Sequence, residues 1–172
     1  SWLPNVQAVT VLVEDVWPIL KQLIPRVKLH IVGFAPTQSI RAFGYRDGIT
    51  VSGSIADIRD AYARAHVLVS PVQWGKGTRY KILEAMATKT PIVATPIAVE
   101  GIKGIQDGKH VLLGNTPEQI ATKTAKLLQN KDLQHSLASR AYQLVTQKYN
   151  WKSISSKLNQ SDLILMRCFS NC

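Results

Sequence analysis

The residues with the clearest chemical potential are Lys81 and Glu84, which follow the glycine-rich run Gly75-Lys76-Gly77-Thr78-Arg79. That run lies between two apolar segments, Ala65-His66-Val67-Leu68-Val69-Ser70-Pro71 and Pro91-Ile92-Val93-Ala94-Thr95-Pro96. The pattern reads as strand, glycine-rich turn, helix, strand. Such a turn presents unpaired backbone N–H groups and the positive end of a helix dipole, which suits a phosphate. Lys81 and Glu84, three apart, share one helix face. A cation near a phosphate and a carboxylate near a sugar hydroxyl are what a nucleotide-sugar site requires. The same pair is also readable as an exposed helix ion pair of small energetic weight.

The surrounding chain alternates helix and strand. Strands are expected over 27–33, 49–53, 67–70, 92–95 and 110–113. Helices are expected over 6–24, with a kink or break at Pro18, and over 39–43, 57–65, 79–88, 117–129, 133–148 and 151–159. Asp57 reads as a helix cap rather than a ligand, and Pro117 as a first-turn proline. Short buried strands alternating with helices imply an α/β fold: a Rossmann-like parallel sheet with helices on both faces. Ligands of such sheets bind at the carboxyl ends of the strands, near the switch point in strand order. Gly33, Gly53 and the segment from Pro71 to Gly77 follow strands and belong on that rim. Residues 1–160 read as one domain. Residues 161–172 form an unassigned tail, organised only by the apolar patch Leu163-Ile164-Leu165-Met166.

Composition bounds the function. The chain has 172 residues, 45% of them hydrophobic, enough for one domain with a core and short for two. No apolar run approaches the roughly 20 residues that span a bilayer. Cys168 and Cys172 make neither a disulfide framework nor a metal-ligand pattern. His30, His66, His110 and His135 lie far apart, so no metal is expected. The net charge of +10 attracts polyanions, whether phosphorylated small molecules, anionic lipid or nucleic acid. Specific nucleic-acid binding is not expected, because no long basic run or aromatic-rich motif is present.

Taken in order, several segments resemble the C-terminal, donor-binding half of a GT-B glycosyltransferase of the group 1 family (family 4-like). They are Pro4-Asn5-Val6-Gln7-Ala8-Val9 with Val16-Trp17-Pro18; Leu29-His30-Ile31-Val32-Gly33; and Val51-Ser52-Gly53-Ser54-Ile55-Ala56-Asp57. The core is Val69-Ser70-Pro71, then Gly75-x-Gly77-Thr78-Arg79-x-Lys81-x-x-Glu84-Ala85-Met86-Ala87, then Pro91-Ile92-Val93-Ala94-Thr95. Glu100-Gly101-Ile102 and Tyr149-Asn150-Trp151 complete the set, which covers about residues 2–158. The resemblance implies a nucleotide-diphosphate-sugar donor, with a UDP-sugar as the leading expectation, and no further cofactor. Glu84 would take the ribose hydroxyls. Lys81 and the backbone of Gly75, Gly77 and Thr78 would face the diphosphate. Gly53, Ser54 and Ile55 would line the base, Gly33 would let the nucleotide pass close, and Glu100 would lie near the sugar. Trp74 is a candidate shield for the site. The chemistry implied is hexosyl transfer, metal-independent and retaining, with basic groups neutralising the leaving diphosphate. The catalytic residues stay unassigned.

Three departures from the family pattern matter. Lys76 stands where many members carry a glutamate, and Ala98 stands where a related subgroup has glycine. The N-terminal acceptor domain and the first strand of the donor domain do not match any segment. The expectation is therefore a donor-binding half that is inactive without an N-terminal acceptor domain. It would be cytoplasmic, at the inner face of the membrane if peripherally associated. The alternative is a non-catalytic remnant, or a nucleotide-binding subunit of a split glycosyltransferase. A missing first strand would also leave a sheet edge uncovered and stability marginal.

Overall fold

The computed structural model describes residues 3–75 and 79–149, together with the backbone of 163–167. Lys76, Gly77, Thr78 and the helix expected over 151–159 lie outside the described residues. The chain opens with helix α1 (Leu3–Val11), a π-helical turn (Leu12–Val16) and helix α2 (Trp17–Leu23). The expected single helix is thus divided just before Pro18. Proline has no N–H and its ring crowds the preceding turn, so a widened turn ahead of it relieves the ladder. There the Trp17 N–H reaches back to the Leu12 carbonyl.

The strands are β1 (Lys28–Val32), β2 (Ile49–Ser52), β3 (Val67–Ser70), β4 (Ile92–Ala94), β5 (Leu112–Leu113) and β6 (Leu163–Arg167). Between them run α3 (Gln38–Ala42), α4 (Ile58–Arg64), α5 (Tyr80–Ala87), α6 (Pro96–Val99), α7 (Pro117–Leu128) and α8 (Lys131–Lys148). Most helix starts are marked by a polar side chain that caps the orphan N–H groups. Thr37, Asp57, Thr95, Thr116 and Asn130 each accept from a first-turn amide. Asp57 is the cap that its position suggested, accepting the Arg59 N–H at 2.9 Å.

The sheet order is β2-β1-β6-β3-β4-β5. β1 pairs parallel with β2, and β3 and β5 pair parallel with β4. Successive strand residues point to opposite faces. All of β3 and β4 is buried, so both faces of this half are covered. α7 packs on β3, β4 and α2, and α5 packs on β4 and α8. Two exposed ion pairs tie the N-terminal helices to the loop before β2: Arg46 to Glu14 in a two-pronged contact of 2.6 and 2.9 Å, and Lys21 to Asp47 at 2.8 Å.

β6 corrects two expectations. The apolar patch of the tail is a strand, and it covers the inward edge of β1 and the first half of that of β3. In a doubly wound sheet of order 3-2-1-4-5-6, strand 1 lies between the two halves. β6 occupies that slot, antiparallel to both neighbours. Backbone groups of Lys28–Val32, and of β3 at Val67 and Leu68, that would otherwise lack partners in the interior are thereby paired. Sequence pattern missed it because a run of adjacent apolar residues has no period that names its partner.

Alternate amides of β1 and β3 face β6, since Leu29 donates to Gly48 and Leu68 to Pro91 on the other side, so a chain ending at residue 160 should lose amide-exchange protection at His30, Val32 and Val67, together with cooperative thermal unfolding. Protection retained at those amides would mean that the two halves hold together without β6.

Candidate functional site

β6 pairs with β1 as far as Leu163, opposite Val32. Its pairing with β3 stops at Leu165, opposite Leu68. Toward the carboxyl ends of β1 and β3 the two halves therefore part. The Ser70 hydroxyl, at the end of β3, is buried there without a hydrogen-bond partner among the described residues. This is the switch-point rim, and the sequence-predicted residues fall on its two sides.

On the β1–β2 side, the Gly33 N–H donates to the Ser52 carbonyl at 3.2 Å. His30 Nε2 pairs with the Ser52 hydroxyl at 2.8 Å, and burial holds this imidazole below its ordinary pKa. A Cβ on Gly53 would meet open space, so no packing among the described residues demands glycine there. Ser54 is exposed, and Ile55 packs partly against the core.

On the β3–β4 side, β3 runs into a loop described as far as Gly75. Its φ of +115° is a conformation that favours glycine. The Thr95 hydroxyl donates to the Val72 carbonyl and fixes the loop to the end of β4. The Trp74 indole N–H donates to the Gln7 side chain on α1, so Trp74 leans on that helix. Lys81 Nζ also reaches α1, donating to Asn5 Oδ1 at 2.9 Å. Arg79 immediately precedes α5, with its side chain only 11% exposed. It donates to the Gly75 carbonyl at 3.2 Å and lies 3.7 Å from the exposed Glu100 carboxylate.

Glu84 is the unusual member. It is only 1% exposed, which rules out the exposed ion-pair reading. Its Oε2 accepts from the Tyr62 hydroxyl at 2.9 Å, while Oε1 is buried with no partner among the described residues. Burial raises its pKa above the ordinary 4.5, opposed by the Tyr62 hydrogen bond and the Lys81 charge. A buried polar atom left unpaired costs about 1–3 kcal/mol. The fold holds an acceptor in a dry place, and a hydroxyl reaching it from solvent must displace the atoms that cover it.

The structure thus gathers Gly75, Lys81, Glu84 and Glu100 around one loop and helix start, with Gly33, Gly53, Ser54 and Ile55 across the rim. Gly77 and Thr78 lie outside the described residues. Sequence reasoning missed Asn5, Gln7, Tyr62 and Arg79 as members. A signal existed for Tyr62: it shares the buried stripe of α4 with Ala61, and a buried phenol needs a polar partner. Among the described residues no cluster could hold a metal ion, and no helix is long and apolar enough to cross a membrane.

The sequence profile of the family described as Glycosyl transferases group 1 matches residues 1–130. An exopolysaccharide phosphotransferase of Streptomyces coelicolor is 28% identical over 126 residues, 69% of this chain and 13% of that protein. A TarM mutant of S. aureus, crystallised with fondaparinux, alpha-GlcNAc-glycerol and UDP, matches with a TM-score of 0.72 and 24% identity. That match covers 87% of this chain and 31% of TarM. The C-terminal domain of LpcC, a glycosyl transferase group 1 family protein of Francisella tularensis, matches with a TM-score of 0.51 and 30% identity. It covers 66% of this chain and 60% of that domain. The chain spans only part of each of these proteins.

The raised pKa of Glu84 has a stability consequence. The folded chain holds this proton to higher pH than the unfolded chain does. The stability so gained is complete below about 4.5 and is lost as pH rises through the raised folded value. Glu84→Gln, which cannot ionise, should melt progressively higher than the native chain as pH rises through that window. Each kcal/mol should appear as about 2–4 °C. Parallel melting-temperature profiles would show that burial does not perturb the carboxyl.

Proposed function

The chain belongs to the glycosyl transferases group 1 family, and we propose that it forms the nucleotide-sugar donor-binding half of a GT-B glycosyltransferase. The observation that carries this reading is the Glu84 carboxylate, held on α5 just behind the Gly75 turn with one oxygen unpaired among the described residues. A ribose hydroxyl donating to Oε1 would satisfy it. The UDP bound in the TarM crystals makes a UDP-sugar the first donor to test.

In this proposal Lys81 and Arg79 supply the positive charge that stabilises the departing diphosphate, together with the amides that open α5. That charge takes the place of a metal. Gly33, Gly53, Ser54 and Ile55 receive the nucleoside across the rim. Glu100, exposed and beside Arg79, faces the sugar. The acceptor hydroxyl, and the surface that brings it near the anomeric carbon, come from an N-terminal domain or a separate subunit. By itself the chain binds donor and transfers sugar poorly. Retention of anomeric configuration is the outcome proposed for the assembled enzyme.

Calorimetric titration of the folded chain with UDP, GDP and ADP tests this. One of the three should bind saturably at one site. Glu84→Ala should weaken that binding about ten- to a hundredfold, the scale of a charge-assisted hydrogen bond. A folded chain that binds none of them is a non-catalytic relative whose site survives as architecture alone.

A further inference from the structure

Tyr62 is fully buried on α4, and among the described residues every polar contact of its side chain goes to α5. Its hydroxyl lies 2.9 Å from Glu84 Oε2 and 3.1 Å from the Lys81 carbonyl oxygen. Its own carbonyl accepts from the Thr90 hydroxyl at 3.4 Å, just beyond the other end of α5. A phenol has a single proton to donate. When Glu84 is ionised, the proton goes to the carboxylate, the stronger acceptor. When Glu84 is neutral and carries its proton on Oε2, that proton can be donated to the phenol oxygen. The phenol proton then turns to the Lys81 carbonyl. In both states the phenol holds Oε2 and leaves Oε1 as the free oxygen. A surface glutamate would sample many rotamers, whereas this one is fixed from an adjacent helix.

We propose that Tyr62 is a positioning residue for donor binding: its hydroxyl fixes Glu84 so that Oε1 meets the donor's ribose hydroxyl. The proposal rests on the donor-site reading above. Tyr62 itself touches no ligand and acts only through Glu84. Its hydrogen bond also favours the ionised carboxylate, against the burial that opposes it. The titratable groups acting on Glu84 are Tyr62 from α4 and Lys81 from its own helix. Affinity that depends on ionised Glu84 therefore falls as pH falls through its pKa. Removing the phenol moves that fall to higher pH.

The experiment is titration of the full chain with the nucleotide that binds, from among UDP, GDP and ADP, across a series of pH values. It compares the native chain with Tyr62→Phe, Glu84→Gln and the double variant. The Glu84→Gln profile supplies the nucleotide's own titration. Tyr62→Phe should weaken binding about two- to tenfold at neutral pH, the scale of one net hydrogen bond, and raise the midpoint of the acid-side loss. In the Glu84→Gln background Tyr62→Phe should add nothing. Difluorotyrosine placed at position 62 preserves the packing and donates more strongly, so it should lower the midpoint. This variant decides the matter if Tyr62→Phe fails to fold. If Glu84→Gln weakens binding while changes at Tyr62 move neither affinity nor midpoint, or if they act equally in the Glu84→Gln background, the positioning role is overturned and the donor site stands. If no nucleotide binds, both fall together.

Discussion

The two parallel halves of this sheet, β2-β1 and β3-β4-β5, never pair with each other. What joins them is the backbone of β6, which runs against both. Interior N–H and C=O groups must find partners, and unpaired ones cost about as much as a lost hydrogen bond. The geometry of the rim depends on how that demand is met. Because β6 follows β1 further than it follows β3, the halves separate toward the carboxyl ends of the strands. The predicted ligand-facing residues are distributed on the two sides of that separation.

The chemistry at the rim depends on a second constraint, dryness. In water a carboxylate is ordinary and cheap; in the interior it is neither. Glu84 is surrounded by protein, opposed by burial and supported by one phenol and one nearby ammonium. The group with the least solvent therefore has the most to gain from a ligand hydroxyl. Lys81 and Trp74 are both turned toward α1, where Asn5 and Gln7 receive them. The first helix is thus a wall of the candidate site.

Local chemistry was legible in the sequence; non-local pairing was not. β3 spans Val67–Ser70, the residues over which a strand was expected. The capping role of Asp57 was readable because the cap and its amide lie two residues apart. The turn at Gly75, and the carboxylate on the helix behind it, were readable from residue type and spacing. The burial of Glu84 was not, since it depends on α4 and α5 meeting through residues far apart in the chain. Tyr62 signalled that a buried phenol needs a polar partner, but not that the partner is Glu84, twenty-two residues on. The short α6 went unseen because its four residues are too few to show a period. β6 was invisible for the deeper reason that its strand-forming tendency is supplied by the gap it fills.

That gap also bears on how the chain reaches its fold. Lys28 is paired with Arg167, so the middle of the sheet is assembled from opposite ends of the sequence. β1 with β2, and β3 with β4, are joined by short crossovers and can form early. The strand between them must close the longest loop in the described chain, and such closures are slow because their entropy is lost before their contacts form. Until β6 docks, the inward edges of β1 and β3 stay open to any extended peptide nearby. A chain with β6 undocked would carry its most reactive surface at what becomes the centre of the molecule.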